Sequence, residues 1–295
     1  MLTHAYADLK TGIRLHYVTE GEGKLILFLH GNPAFWYAWK RQLPFFSSRY
    51  RVVAPDLPGY NLSSKPEPVE RYHLSVVADD IHALIEVLGH RTCILVGHDL
   101  GGAIGWYVAA KYPDLLEKLI AICNWPLDVY RRSLRRHPEE HKEPDYIEYV
   151  LQPDFAEWLA ENNYAHLVYS ELGEAQGLKP GTFTEQDKQI YIEAWSQPGA
   201  LDCSLKYYHA LFGEMRQVLQ QADDEDLLPP IQVPTLLIYG EREAFGSGPI
   251  RTYTFDYLKE LVPKVTVKAI ADGSHVLIYD HSDLVNNLIQ EFLDS

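Results

Sequence analysis

The segment VGHDLGGAIG (96–105) runs from an apolar stretch into a glycine-rich corner with Asp99 at its centre. Gly97 and Gly101 permit a tight strand-to-helix turn, and Gly102 and Ala103 let the following helix approach a sheet closely. Such a turn lifts its middle side chain clear at the C-terminal sheet edge, where open α/β sheets hold ligands. The helix N-terminus behind the corner favours an ionised carboxylate. A serine here would acylate. A carboxylate instead attacks a saturated carbon and leaves an alkyl ester, so its substrate must carry a leaving group on sp³ carbon. The plainer reading of these residues is an N-cap aspartate in a glycine-rich turn.

Two other segments stand in the order such chemistry needs. HGNP (30–33) closes an apolar run two elements before the corner. A backbone N–H from that loop, together with the N–H of Leu100, would make an oxyanion hole. ADGSHVLIYD (271–280) puts His275 between the last strand signal and the last helix, where a nucleophile–acid–histidine order places its base. The chain has 13 histidines, so position singles out His275, not residue type. The acid should follow the preceding strand, and GEREAF (240–245) offers Glu241 and Glu243.

The elements that must position these groups alternate clearly. Apolar runs at 24–30, 51–56, 91–98 and 116–124 read as strands covered on both faces. IRLHYV (13–18) reads as a strand preceded by a hairpin turn at KTG. Helices are expected from Ser75, as N-cap, to Leu88 with Gly89 ending it, and from the corner to about Tyr112. This alternation implies an α/β fold, a mostly parallel sheet with helices on both faces. The rhythm breaks after residue 126. PDFAEWLAENNY, TEQDKQIYIEAWS and SLKYYHALFGEMRQVL read as helices, and the acidic QADDEDLLPP (221–230) as an exposed linker. VPTLLIYGE (233–241) and KVTVKAI (264–270) restore the strands, and a last helix starts near Asp283. The expected division is a core of 1–126 and 229–295 with a helical cap at 127–228. RRSLRRHPEE (131–140) reads as a solvated face of that cap, and Trp158, Trp195 and the cap tyrosines as packing.

With 295 residues the chain has room for one α/β domain and an insertion. Its net charge of −15 argues against nucleic acid and anionic membrane surfaces as partners. Cys93, Cys123 and Cys203 lack paired or metal-type spacing, and the first two sit in apolar runs as small buried hydrophobes. A reducing cytoplasm is the expected location. The N-terminal stretch has no apolar signal core, and no segment approaches a membrane span.

HGNPAFWYAWKRQLPFFSSRYRVVAPDLPGYNLSSKPE (30–67), VGHDLGGAIGW and VPTLLIYGEREAFG resemble the α/β-hydrolase superfamily and, within it, the epoxide hydrolases. The match covers nearly the whole core and is thinner in the cap. It implies an α/β-hydrolase fold with an inserted lid, Asp99 as nucleophile, His275 as base and Glu243 as triad acid. It places oxyanion-hole N–H groups at Asn32 and Leu100. It also implies two lid tyrosines facing the nucleophile: Tyr146 from YIEYVLQP, with Tyr149 its competitor, and Tyr208 from PGALDCSLKYYHA, with Tyr207 its competitor. Phe35, Trp36 and Trp125 suggest an apolar pocket.

Three positions depart from the family pattern. Leu100 stands where tryptophan is usual, Asn32 is the haloalkane dehalogenase choice, and Glu243 replaces aspartate. Two substrate classes fit a carboxylate nucleophile. An epoxide oxygen leaves as an alkoxide and needs hydroxyl donors such as Tyr146 and Tyr208. A halide needs side-chain N–H donors; Asn32 offers one, and Leu100 removes the other. The expectation is therefore a small apolar epoxide opened to a diol by a monomer or homodimer, with no metal or organic cofactor. Haloalkane dehalogenation, and a catalytically silent fold member binding a hydrophobic ligand under its lid, stand as alternatives.

Overall fold

The apolar runs form strands because helices cover both of their faces: β3, β5 and β7 are buried along their whole length. The computed structural model describes residues 1–137, 149–173, 175, 178, 181–220, 228–242 and 252–295. Its strands are β1 (Thr3–Asp8), β2 (Arg14–Glu20), β3 (Leu25–Leu29), β4 (Arg51–Pro55), β5 (Cys93–His98), β6 (Leu116–Ile122), β7 (Thr235–Gly240) and β8 (Val265–Ile270). They form one sheet in the order β1-β2-β4-β3-β5-β6-β7-β8. The pairs β1–β2 and β2–β4 are antiparallel, and every other pair is parallel.

The helices used below are α1 (Gln42–Phe46), α2 (Leu74–Val87), α3 (Leu100–Lys111), α4 (Leu127–Arg136), α5 (Phe155–Leu172), α6 (Glu185–Trp195), α7 (Ala200–Gln220), α8 (Thr252–Leu261), α9 (Leu277–Asp280) and α10 (Ser282–Asp294). The α/β alternation read from the sequence is borne out. Between β6 and β7 the described residues hold helices and no strand, α4 to α7.

Several local readings change. Helix α2 begins one residue before Ser75, with His73 at the cap position and no side-chain cap bond, while Gly89 does turn left-handed at its end (φ +81°). Helix α5 breaks at Glu161–Tyr164, where Asn162, Asn163 and Tyr164 take φ of 50°, 56° and 62°. The ENNY sequence explains the place of the break, since asparagine tolerates this region better than most residues. The basic run is not a purely solvated face. Arg131 is buried and pairs with buried Asp128 at 3.1 Å, because Asp128 also accepts the backbone N–H of Leu228 and so ties α4 to the chain entering β7. Of the expected exposed linker, Leu228 is buried while Pro229 and Pro230 are exposed; residues 221–227 of that segment lie outside the described residues.

Two buried polar nodes fix the loops beside the sheet edge. Asp56, fully buried, accepts from His16 Nδ1 at 2.6 Å, the Trp36 N–H at 3.1 Å and Asn61 Nδ2 at 2.9 Å. His30 donates from Nδ1 to the Gly31 carbonyl and accepts the Leu57 N–H at Nε2. Helix α6 is tied to the same region. Its capping box joins Thr184 to Asp187, and Asp187 also accepts from Tyr37 and Lys40. Trp195 Nε1–H donates to the Pro33 carbonyl at 2.7 Å. Trp195 is therefore packing with a polar handle, while Trp158 is partly exposed and stacks on Phe155.

Helix α3 can start this close to the sheet only because residue 101 lacks a side chain. A Cβ on Gly101 would overlap the Leu29 carbonyl oxygen, which is backbone and has nowhere to go. Gly101→Ala is expected to lower unfolding free energy by about 2–3 kcal/mol or more, read as a fall in the urea midpoint. An unchanged midpoint would mean that the helix and strand do not meet as described.

Candidate active site

Four chain segments meet at the C-terminal edge of the sheet: the turn after β3, the corner after β5, the residue after β6 and the loop after β8. Asp99 sits at the corner with φ +52° and ψ −121°, a conformation that costs a non-glycine residue about 1–3 kcal/mol. Its backbone holds it there. The Asp99 N–H donates to the Ile122 carbonyl at 3.1 Å, and its carbonyl accepts the Ala103 N–H at 3.0 Å, opening α3. Asp99 stands at the N-cap position of α3, as in the plainer reading, but its side chain makes no cap bond.

The two carboxylate oxygens are differentiated. Oδ1 accepts the Asn32 backbone N–H at 2.8 Å, while Oδ2 lies 3.4 Å from His275 Nε2. Gly31 makes the first contact possible, because a Cβ there would overlap the Asp99 side chain. Burial pushes the Asp99 carboxyl up. The hydrogen bond and charge of His275, then His98 and the Asn32 N–H, outweigh burial and hold it at about 2. Asp99 is thus ionised throughout the neutral range.

A hydrogen-bonded chain crosses from the core to the inserted helices. Tyr60 donates to Asn32 Oδ1 at 2.9 Å, and Asn32 Nδ2 donates to the Tyr208 hydroxyl at 3.2 Å. Burial, followed by Tyr207, Tyr208 and Asp99, pushes Tyr60 well above its ordinary value, so it remains a donor. The structure separates the two tyrosines of α7. Tyr207 is buried and donates to the Pro58 carbonyl at 3.0 Å, whereas Tyr208 faces Asn32. Of the other pair, Tyr149 is 63% exposed, and Tyr146 lies outside the described residues. Glu243 lies outside them as well; Glu241 is exposed at the end of β7.

The expected pocket residues are spread out. Phe35 is buried and meets Tyr191 edge-on; a small cavity beside it is lined by Pro33, Tyr60, Ala194, Trp195 and Leu201. Trp36 packs edge-on against His4. Trp125 follows β6 and packs against Tyr239 and Phe255. Leu100 is partly buried against the core at the first turn of α3.

Residues 24–282 match the family model described as the alpha/beta hydrolase fold. The chain belongs to the α/β-hydrolase family. It is 37% identical over 298 residues to epoxide hydrolase 4 of Mus musculus, covering 99% of this chain and 79% of the relative. It is also 37% identical over 288 residues to AB hydrolase superfamily protein YfhM of Bacillus subtilis (strain 168), covering 96% and 95%. The solved structure of the Bacillus megaterium epoxide hydrolase with an inhibitor superposes with a TM-score of 0.86 at 32% identity, covering 99% and 100%. The resemblance to α/β-hydrolases and their epoxide-hydrolase members is borne out.

This α/β-hydrolase site also contains groups the sequence did not single out. His98 precedes the corner, and burial, then His275, lowers it to about 4, so it is neutral at pH 7. Tyr60 lies in the quoted PDLPGYN stretch, but its partner Asn32 is remote in sequence. Glu171, in the last turn of α5, is raised by burial to about 7, with a hydrogen bond to Ser170 and then the charge of His275 opposing and Asp99 adding to the rise. A glutamate of α5 among many charged residues carries no sequence signal. Among the described residues no helix is long and apolar enough to cross a membrane.

The balance at Asp99 can be measured. Carbon-13 titration of its carboxyl should give about 2 in the wild type. His275→Gln removes the largest opposing influence and leaves burial, so the value should rise above the ordinary aspartate range near 3.9. A value unmoved by His275→Gln would show that the imidazole does not set the charge of the Asp99 carboxyl.

Proposed function

We propose that the protein is an epoxide hydrolase that opens a small apolar epoxide through an alkyl ester on Asp99. The observation that carries this reading is the ionised, differentiated carboxylate of Asp99 on the corner, one oxygen on a backbone N–H and the other beside His275. Oδ2 attacks an epoxide carbon, and the ring C–O electrons pass to the departing oxygen. Tyr208 protonates that oxygen, with Tyr146 as the second donor. The chain from Tyr60 through Asn32 supports this role, since each donation polarises the next group and strengthens the Tyr208 hydroxyl as an acid.

Water then attacks Cγ of the ester. His275 takes its proton, and Glu243 orients the imidazolium. Negative charge develops on Oδ1, where the Asn32 N–H already sits and the Leu100 N–H joins it. Collapse breaks the Cγ–Oδ2 bond; the His275 imidazolium gives its proton to the departing oxygen and the proton of the regenerated Asp99 carboxyl returns to Tyr208, so the diol keeps the former carboxylate oxygen and the site is restored. The helices of 127–228 act as the lid, and Phe35, Trp36 and Trp125 belong to its apolar surroundings.

The dehalogenase reading is weaker. The Asn32 amide is held between Tyr60 and Tyr208, and Leu100 has no side-chain N–H to replace the usual tryptophan. Silent binding is also disfavoured, because an inert fold member has no need of an ionised carboxylate held against both burial and backbone strain.

A single turnover in oxygen-18 water tests the ester route. The label should enter Asp99 and leave the first diol unlabelled; label in that diol would mean direct attack of water on the epoxide. Tyr208→Phe should slow the opening step by about 10²-fold or more and spare hydrolysis of an ester already formed, as read by stopped-flow. Equal slowing of both steps would remove Tyr208 from the role of acid.

A further inference from the structure

The cysteines show no metal-type spacing in sequence, yet folding brings one of them to two histidines. Cys123 follows β6, turned by a left-handed φ of +50°. His98 ends β5, and His275 lies in the loop before α9. One donor atom from each of the three lies within 4.8 Å of the others. They are the group of this kind among the described residues. A cysteine serving only as a small hydrophobe needs no such company.

The two ring nitrogens of His98 are used differently. Its Nε2–H donates to the His275 carbonyl at 2.8 Å, which leaves Nδ1 as the unprotonated nitrogen. That Nδ1 is buried and has no hydrogen-bond partner among the described residues. An orphaned acceptor in a 5% exposed side chain is costly unless something occupies it. Two imidazoles and a thiol form a donor set suited to Zn²⁺. Tetrahedral Zn²⁺ separates its nitrogen and sulfur ligands by about 3.3–3.6 Å, given bonds of about 2.0–2.3 Å. The trio must therefore contract by up to about 1 Å to hold the ion. The thiol of Cys123 donates to the Ser274 carbonyl at 3.7 Å. Metal capture releases that proton to solvent and so strengthens as pH rises.

We propose that His98, Cys123 and His275 form a Zn²⁺ site that silences the enzyme by taking the lone pair of its base. The binding stands on the convergence of the three residues; the silencing rests on the role of His275 proposed above.

The test is calorimetric titration of Zn²⁺ into chelator-treated wild type and Cys123→Ser, with diol formation followed in parallel. One ion per chain should bind the wild type and abolish turnover reversibly to EDTA. Cys123→Ser should turn over normally without zinc and bind it at least about tenfold more weakly, since even an outer-shell partner is worth about 10–100-fold. Co²⁺ added to the wild type should give a sulfur-to-cobalt charge-transfer band, a readout independent of how the variant folds. Equal zinc affinity in Cys123→Ser, or a cobalt spectrum without that band, would overturn the site. Full turnover with the ion bound would overturn the silencing. Absence of any epoxide turnover would count against the function proposed above and leave the zinc site to calorimetry and the cobalt spectrum.

Discussion

The site depends on one close approach: the Asn32 N–H on Asp99 Oδ1 at 2.8 Å, with the corner residue held at φ +52°. Neither side of this contact tolerates added bulk. Gly31 leaves room for the carboxylate, and Gly101 lets α3 begin against β3. The bonds of the Asp99 backbone to Ile122 and Ala103 keep a strained residue in place. The buried nodes at Asp56 and His30 serve the same end from the other side, fixing the loops that carry Asn32 and Tyr60. Helix α6 closes over the turn through Trp195 and Asp187. A loop held this firmly can present a backbone donor without reorganising during reaction.

Opposed electrostatic effects give neighbouring carboxyls different states. Burial raises both Asp99 and Glu171. His275, His98 and the Asn32 N–H reverse the effect at Asp99, down to about 2, while Glu171 stays raised, near 7. The consequences for stability have opposite signs. The depressed Asp99 contributes stability that is present above its unfolded value near 3.9 and is lost as pH falls toward about 2. The raised Glu171 binds its proton more tightly when folded, so its contribution is present below about 4.3 and is lost as pH rises toward about 7.

The sheet was legible because buried parallel strands read as continuous apolar runs, and the corner because glycines at 97 and 101 mark a close approach. The order of Asp99 and His275 along the chain was enough to pair them, and they lie 3.4 Å apart. What the sequence hid depends on contacts between remote segments. Nothing local distinguishes Tyr208 from Tyr207; only the fold commits one to Pro58 and the other to Asn32. Arg131 read as solvated because its partners, Asp128 and through it Leu228, bury it only in three dimensions. The meeting of Cys123 with His98 and His275 joins the ends of β5 and β6 to the loop after β8, which no spacing rule reports.

The central claim is that Asp99 takes the whole substrate into a covalent ester that His275 is needed to release. Intact mass spectrometry of His275→Gln after mixing with a panel of epoxides and haloalkanes tests it most directly. An epoxide opening on the carboxylate adds its full mass, because nothing departs, and the adduct should map to residues 91–111. A haloalkane adduct short by the halogen, with no epoxide adduct, would contradict the epoxide reading. No adduct from either panel would contradict Asp99 as a nucleophile.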